Sequence, residues 1–482
     1  MARIVLTADT TLIANYELLL EGILGTVSTT YVPKCIYNTF VSPKAKLSRD
    51  GQVKKPPYGL RKLEAALVSY GFSQSDIAFA HPDNLSRFEN DCRIIAISSG
   101  DPLGLGMTST VMEGVMEGDL YTKLSFQKVV SQANYIKKNN PKIRICCGGP
   151  GMWQFIKKKD VISKLGIDHI FIGYGDTTVP EAFKDIIAEK TLPQIIVCKD
   201  PDISDIKEIL GTSSMGIVEI GRWCGRGCKF CTMRGKRMIH IPKKTILSDI
   251  RMNLKHGVQN IATLSEDFLR YGSSGIKPEG KKVLALYESI AKLPNLRLVQ
   301  LDHVNIASVA CVSDTMLKQI HDAVALHKPN NWVWVNAGME TASIKLLRQI
   351  APAKTKPFDI NEWPNLIRRT VGRLNDAGFF PFLSIVLGAP EETEEDIRKT
   401  QEFLDDIKTM RAAVFPVFYV GVAEADSSFY IDDMKPYHWE LFIDAYEMNF
   451  KWVPKLFSRN QKDGDVGFKK RLMTQMIGRL GI

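Results

Sequence analysis

The chain has no uninterrupted apolar run near the ~18 residues that a membrane-spanning helix needs, so a membrane span is not expected. Its start, Met1-Ala2-Arg3-Ile4-Val5-Leu6-Thr7-Ala8-Asp9, reads as a first strand; the apolar stretch is too short for a signal peptide and an acid follows it. A cytoplasmic location is therefore expected. The nine cysteines do not form a paired framework, and a reducing compartment suits metal ligation or burial better than disulfides. A second cysteine pair of the kind that closes a zinc knuckle is also missing. Hydrophobic content of 45% and charged content of 24% are ordinary for a globular chain, and 482 residues suggest about three domains. The net charge of +10 is spread along the sequence. It reads mainly as a solvated surface, so nucleic acid is not expected as a partner.

Against that plain background stands one run, Arg222-Trp223-Cys224-Gly225-Arg226-Gly227-Cys228-Lys229-Phe230-Cys231. Three thiolates in C-x3-C-x2-C spacing can hold three irons of a four-iron cluster and leave the fourth open to a small molecule. Open coordination is where chemistry occurs, whereas closed coordination builds structure. Arg222, Arg226, Lys229, Arg234, Lys236 and Arg237 flank the thiolates, and cations there would favour ionised sulfur.

The first ~200 residues alternate short apolar runs with helical patterns, as an α/β domain does. Strands are predicted at Ile4–Leu6, Ile77–Ala80, Ile94–Ile97, Ile143–Cys147 and Ile170–Ile172, with helices over Leu60–Tyr70 and Phe126–Lys138. Three of these strands run into Ser98-Ser99-Gly100, Gly148-Gly149-Pro150-Gly151 and Gly173-Tyr174-Gly175-Asp176. In a doubly wound sheet, ligands bind beyond such strand ends, where glycine lets backbone approach them. Residues 26 to 58 show no clean period and read as a cover loop; 199 to 214 are polar and turn-rich, a linker. From Met215 a strand–loop–helix pattern repeats six times, with Ser265-Glu266-Asp267, Asp302-His303, Glu340 and Gly388 following successive strands. Six such units suggest a partial (β/α)6 barrel with its site at the carboxyl ends of the strands. After about Asp426 the pattern turns helical and aromatic-rich. The expected domains are thus 1–200, a linker at 201–214, 215–425 and a small helical region at 426–482.

The cysteine spacing resembles that of the radical S-adenosylmethionine (radical SAM) superfamily, with Phe230 where that family has an aromatic beside the adenine. The resemblance implies a [4Fe–4S] cluster on Cys224, Cys228 and Cys231, and S-adenosylmethionine on its open iron. Ser265, Glu266 and Asp267 are then implied contacts of the amino group, Glu340 of the ribose, and Gly388 a support of the adenine side. The turns at Ser98, Ser99, Gly148, Gly149, Gly173 and Gly175 resemble the cobalamin-binding domain of one large radical SAM subclass, with a Rossmann-like doubly wound fold. That implies a methylcobalamin-dependent C-methyltransferase acting on an unactivated carbon of a protein or peptide, with an external electron donor. No Asp-x-His is present to ligate cobalt from below, and His81 reads as a turn histidine before Pro82. The block Pro56-Pro57-Tyr58-Gly59-Leu60-Arg61-Lys62 looks most like archaeal members, some of which methylate a glutamine α-carbon in methyl-coenzyme M reductase. The alternatives are a ring-forming or rearranging enzyme of the same subclass, a transfer-RNA methylthiotransferase, and a non-enzymatic cobalamin or redox sensor.

Overall fold

The computed structural model describes residues 3–328, 330–468 and 470–472. They form two compact units. The first comprises Met1–Gly216 with Ser248–Val258 and Val422–Ala425; the second holds the remainder.

The first unit is built on a six-stranded parallel sheet in the order β2-β1-β3-β4-β5-β6. The strands are β1 (Ile4–Ala8), β2 (Ile77–Phe79), β3 (Ile94–Ser98), β4 (Arg144–Gly148), β5 (His169–Ile172) and β6 (Ile195–Val197). Alternate residues of one strand point to opposite faces, so a sheet buried on both sides needs continuous apolar runs. Ile4, Leu6, Ile94, Ala96 and Cys146 pack on one face with Leu60, Leu67 and Phe183. Val5, Ile95, Ile97, Ile145 and Cys147 pack on the other with Phe126, Val130 and Ala133. The helices Tyr58–Ser69 and Thr178–Ile187 thus cover one face and Tyr121–Asn139 the other, giving three layers. From β1 the chain pairs outward to β2 on one side and β3 on the other, which puts the topological switch point between β1 and β3.

Two stretches read as loop are more ordered than their sequence suggests. Within 26–58, the helix Lys34–Ile36 runs into a single π-turn, Tyr37–Val41. The Tyr37 ring stacks on Tyr121 with 3.8 Å between centroids, and its hydroxyl donates to the Gly25 carbonyl at 2.9 Å. In the polar segment after residue 200, Arg61 donates to the Thr212 carbonyl (2.9 Å) and Lys62 to the Lys207 carbonyl (2.6 Å). Lys62 also pairs at 2.8 Å with the buried Asp249, which accepts from the Tyr58 hydroxyl at 2.9 Å. The Pro56–Lys62 block is therefore an internal brace of the first unit, and its side chains are used up by packing.

In the second unit, β7 (Ile217–Glu219), β10 (Asn260–Leu264) and β11 (Leu298–Leu301) form one parallel sheet. Strands β12 (Val333–Glu340), β13 (Phe379–Leu387) and β14 (Ala413–Phe418) form another. A parallel bridge between His303 and Asn336 joins them, with Val304 donating to the Asn336 carbonyl and Asn336 to the Asp302 carbonyl, each at 2.8 Å. Six parallel strands thus follow one another in chain order, with the helices Gly280–Ala291, Asp314–Val324, Trp363–Ala377 and Glu394–Ile407 between them. This is the partial α/β barrel that the pattern predicts. The short ribbon of β8 (Gly221–Arg222) and β9 (Ile239–His240) brackets the cysteine run. The helix Pro436–Asp463 packs on β14, where Asn449 accepts from Val414 N (2.7 Å) and donates to its carbonyl (2.6 Å). Among the described residues no helix is long and apolar enough to cross a membrane.

Candidate active site

The cysteine run is a loop leaving β8. Trp223, Gly225 and Gly227 all take positive φ, +63°, +72° and +71°. Glycine adopts that region freely, whereas tryptophan is strained there, so the loop is held by its surroundings. Arg226 is the main tether. Buried at 3% exposure, it donates to the carbonyls of Ala353 (3.3 Å), Lys354 (3.0 Å) and Lys356 (2.8 Å) and to Ser308 Oγ (3.1 Å). Lys229 N donates to the Ile350 carbonyl at 2.8 Å, and Arg270 donates to the Cys224 carbonyl.

All three cysteines carry free thiols, Cys228 buried and Cys224 and Cys231 half-buried. Burial pushes the Cys228 thiol up to about 11 and raises Cys231 as well. The cation that opposes both shifts is Lys354, far along the chain, and not the basic residues beside the cysteines. Arg222 is spent on Glu219, donating from Nε and Nη2 at 3.0 and 2.9 Å. Lys229, Arg234 and Arg237 are exposed. Among the described residues no three His, Cys, Asp or Glu side chains sit close enough to share one metal ion. Three free thiols in one loop, each able to ligate its own iron, are the donors that a four-iron cluster with one open iron takes.

The run Ser265-Glu266-Asp267 divides its labour. Ser265 is buried beneath β10, where its hydroxyl accepts from Asp267 N at 3.4 Å. Asp267 is fully buried and accepts from Asn305 N (3.2 Å) and Ser308 Oγ (2.6 Å), with Arg226 3.9 Å away. Burial raises its pKa and Arg226 opposes the rise. Asp267 thus anchors the inner end of the cysteine loop. Glu266, half-buried, carries no hydrogen bond among the described residues and is raised by burial. It is the member free to accept from a ligand.

Glu340 ends β12 at a bulge, with φ +63°. Its Oε1 pairs with Lys354, whose own side chain is 11% exposed. Burial works against the Lys354 ammonium, but Glu340 and Cys228 outweigh it and the group stays charged. Gly388, at φ +73°, lies under the Phe429 ring and donates its N–H to Glu392 Oε1 at 2.9 Å. His438 Nε2 lies 2.9 Å from the same oxygen. Thr393, with Asp396, caps the helix Glu394–Ile407. Phe230 is half-buried in the loop.

Sequence reasoning placed Asp302 and His303 at a strand end but missed them as site residues. His303 Nδ1 lies 2.7 Å from Asp302 Oδ1. Desolvation disfavours the imidazolium, but Asp302 and then Glu266 overcome it and raise His303 to about 9. Lys354 was missed too, because a lysine some 120 residues beyond the cysteines carries no local signal.

In the first unit the predicted turns do gather. Ser99 N donates to the Gly148 carbonyl (3.1 Å) and Gly151 N to the Ser99 carbonyl (3.2 Å). Gly149 has φ +103°, and a Cβ there would lie 2.8 Å from Ser98 Oγ and from the Ser99 carbonyl. A Cβ on Gly148 would meet nothing within 4 Å, so backbone at the β4 end is open to a ligand. Gly173 (φ +105°) and Gly175 follow β5 beside Cys198 and Val179. Among the described residues the buried Ser99 Oγ and Asp9 Oδ2 find no partner at full hydrogen-bond geometry, and the Ser99 hydroxyl is among the groups that lower the Asp9 pKa. An under-bonded Ser99–Asp9 pair beside an open glycine edge fits a ligand bearing polar groups. His81 is taken: its Nδ1 accepts from Asp83 N at 3.2 Å and caps the 3₁₀ turn Pro82–Phe88.

Residues 218–404 match the Radical SAM superfamily. The second unit therefore carries a radical SAM domain, which implies a [4Fe–4S] cluster and S-adenosylmethionine. The chain is 24% identical over 299 residues to the ribosomal protein uS12 methylthiotransferase RimO of Clostridium botulinum strain Hall, covering 60% of this chain and 62% of that protein. It is likewise 24% identical over 318 residues to the tRNA-2-methylthio-N(6)-dimethylallyladenosine synthase of Hydrogenobaculum sp. strain Y04AAS1 (64% and 67%). The match thus spans less than two thirds of the RimO length. These relatives are bacterial and lend no support to the archaeal likeness. Among solved structures, the radical S-adenosylmethionine methyltransferase TsrM of Kitasatospora setae, bound to tryptophan and aza-SAM, superposes with TM-score 0.55 at 12% identity. That match covers 86% of this chain and 73% of TsrM. TsrM with cobalamin and a [4Fe–4S] cluster gives 0.54 over 86% and 72%. At that identity the likeness is one of fold.

Proposed function

We propose that this chain is a cobalamin-dependent radical SAM methyltransferase. Cys224, Cys228 and Cys231 hold the cluster, and the open edge formed by Ser98, Ser99, Gly148, Gly149, Gly173 and Gly175 holds cobalamin. When bound, the cluster supplies the electron that cleaves S-adenosylmethionine, and cobalamin carries the methyl group. The chain's own share is orientation. Arg226 and Asp267 fix the cysteine loop, Glu266 accepts from the S-adenosylmethionine ammonium, and Glu340 reaches the ribose. The acceptor is a carbon of a protein or peptide residue, with the glutamine α-carbon of methyl-coenzyme M reductase as the specific candidate.

The observation that carries this reading is the first unit's glycine- and serine-lined strand edge, with the under-bonded Ser99 and Asp9 oxygens beside it. A methylthiotransferase is the second reading, favoured by the names of the relatives. It calls for a second cluster held by cysteines of the N-terminal domain. There, Cys146 and Cys147 sit in the cores on opposite faces of the sheet, Cys92 and Cys198 are buried, and Cys35 is exposed. Those positions do not suit a shared cluster. The test needs no acceptor. Reconstituted protein is given reduced cobalamin and S-adenosylmethionine labelled in its methyl group. Labelled methylcobalamin supports the proposal; retained cobalamin that stays unmethylated contradicts it.

A further inference from the structure

We propose that His303, held by Asp302, binds the carboxylate of S-adenosylmethionine, so that Glu266 and His303 together recognise the zwitterionic end of that molecule. The inference rests on the radical SAM reading of this same site.

Glu266 follows β10 and His303 follows β11, and these two strands pair in parallel with Asn260 opposite Leu298 and Thr263 opposite Leu301. The two side chains therefore leave neighbouring strand ends, and each carries the other among its electrostatic partners. One is an acceptor without a hydrogen bond among the described residues. The other is an imidazole whose Nδ1 is buried against Asp302 while its side chain remains 44% exposed. With the Nδ1 edge turned inward, the open edge of the ring is the one that bears Nε2. Asp302 is itself fixed, accepting from Asn336 Nδ2 at 3.4 Å. An amino acid's α-ammonium and α-carboxylate are opposite charges on one carbon, and they match an adjacent acceptor and cationic donor. The charged groups that face His303 are Asp302 and Glu266, which favour its protonation, and Lys354, which opposes it. Lys354 is already committed to Glu340. Among these groups, His303 is the cation left to meet a second carboxylate.

The test is a binding measurement on reconstituted protein by calorimetry. S-adenosylhomocysteine is compared with 5′-deoxy-5′-(3-aminopropylthio)adenosine, which keeps the amine and lacks only the carboxylate. Wild type prefers the carboxylate ligand, and in His303→Gln that preference falls about tenfold, the worth of one charge-assisted hydrogen bond. In Asp302→Asn the preference is lost at about pH 8 and returns below the ordinary imidazole pKa of about 6.5. Equal weakening of both ligands in His303→Gln, or an unchanged preference, overturns the proposal. If wild type binds neither ligand, the radical SAM reading of the site fails with it. Binding with no carboxylate preference removes the His303 inference alone.

Discussion

Gly338→Ala tests the arrangement around Glu340 more sharply than a mutation of either charged partner. Gly338 has no positive φ, so alanine fits its backbone and any penalty comes from space. The added Cβ would lie 2.5 Å from Lys354 Nζ and closer still to Glu340 Oε1. Ordinarily the ends of long side chains swing aside. Here they are 11% and 5% exposed and paired with each other, so yielding means breaking a buried ion pair. Overpacking a core costs about 1–3 kcal/mol and breaking a buried pair about 3–5 kcal/mol, so a loss of about 2–4 kcal/mol is expected. Urea denaturation of wild type, Gly338→Ala, Glu340→Ala and the double variant closes a mutant cycle. In the Glu340→Ala background two of the three clashing atoms are gone, so the alanine should then cost less than about 1 kcal/mol. A loss below about 0.5 kcal/mol for Gly338→Ala in wild type, or an equal loss in both backgrounds, would refute the reasoning.

Three further outcomes are expected. Arg226→Met removes four hydrogen bonds from the cysteine loop and takes the nearer of two arginine charges from Asp267; it should destabilise by about 3–5 kcal/mol, and iron retained per chain after desalting should fall. Gly149→Ala forces a non-glycine residue into φ +103° against Ser98 and Ser99 and should cost about 1–3 kcal/mol, whereas Gly148→Ala, facing open space, should stay within about 0.5 kcal/mol and yet lower cobalamin retention. Asp9 is fully buried and raised by that burial to about 6, above its unfolded value near 3.8. The folded state therefore holds the proton more tightly, and stability falls as pH rises through that window. Asp9→Asn should consequently gain on wild type by about 1.3 kcal/mol between pH 5 and 7, as urea melts at the two pH values would record.

Much of this molecule was legible from local pattern. The first-unit strands β1 to β5 were found because sheets buried on both faces need continuous apolar runs. The six barrel strands announced themselves by the polar residues that follow them. The short strand β6, Ile195–Val197, was missed: it is three residues long, partly exposed and sits beside the proline-containing run 191–194. The apolar run 332–335 predicts a strand that stops before Asn336, but β12 continues through Asn336 and Gly338 to the bulge at Glu340. The cysteine loop was legible because its chemistry is written in contiguous residues. What was not legible depends on distance along the chain. The Lys354 charge acts on Cys228 from beyond β12, and Arg226, seen as part of a basic cluster, works as a clamp on the turn at 353–356. Asp267 looked equivalent to Glu266, and only burial separates an anchoring acid from an available one. For that reason alanine at Asp267 would report on folding, and Glu266 and Glu340 are the informative positions.

The central claim is that one chain holds a cluster and cobalamin together. The most direct measurement is anaerobic reconstitution with iron, sulfide and hydroxocobalamin, followed by desalting, an absorption spectrum and quantification of all three. The account predicts roughly four irons and one cobalamin per chain, with iron lost and cobalamin kept when Cys224, Cys228 and Cys231 are all alanine. Roughly eight irons and no cobalamin would contradict it and favour the methylthiotransferase; a single cluster without cobalamin would leave the first unit without the role proposed for it.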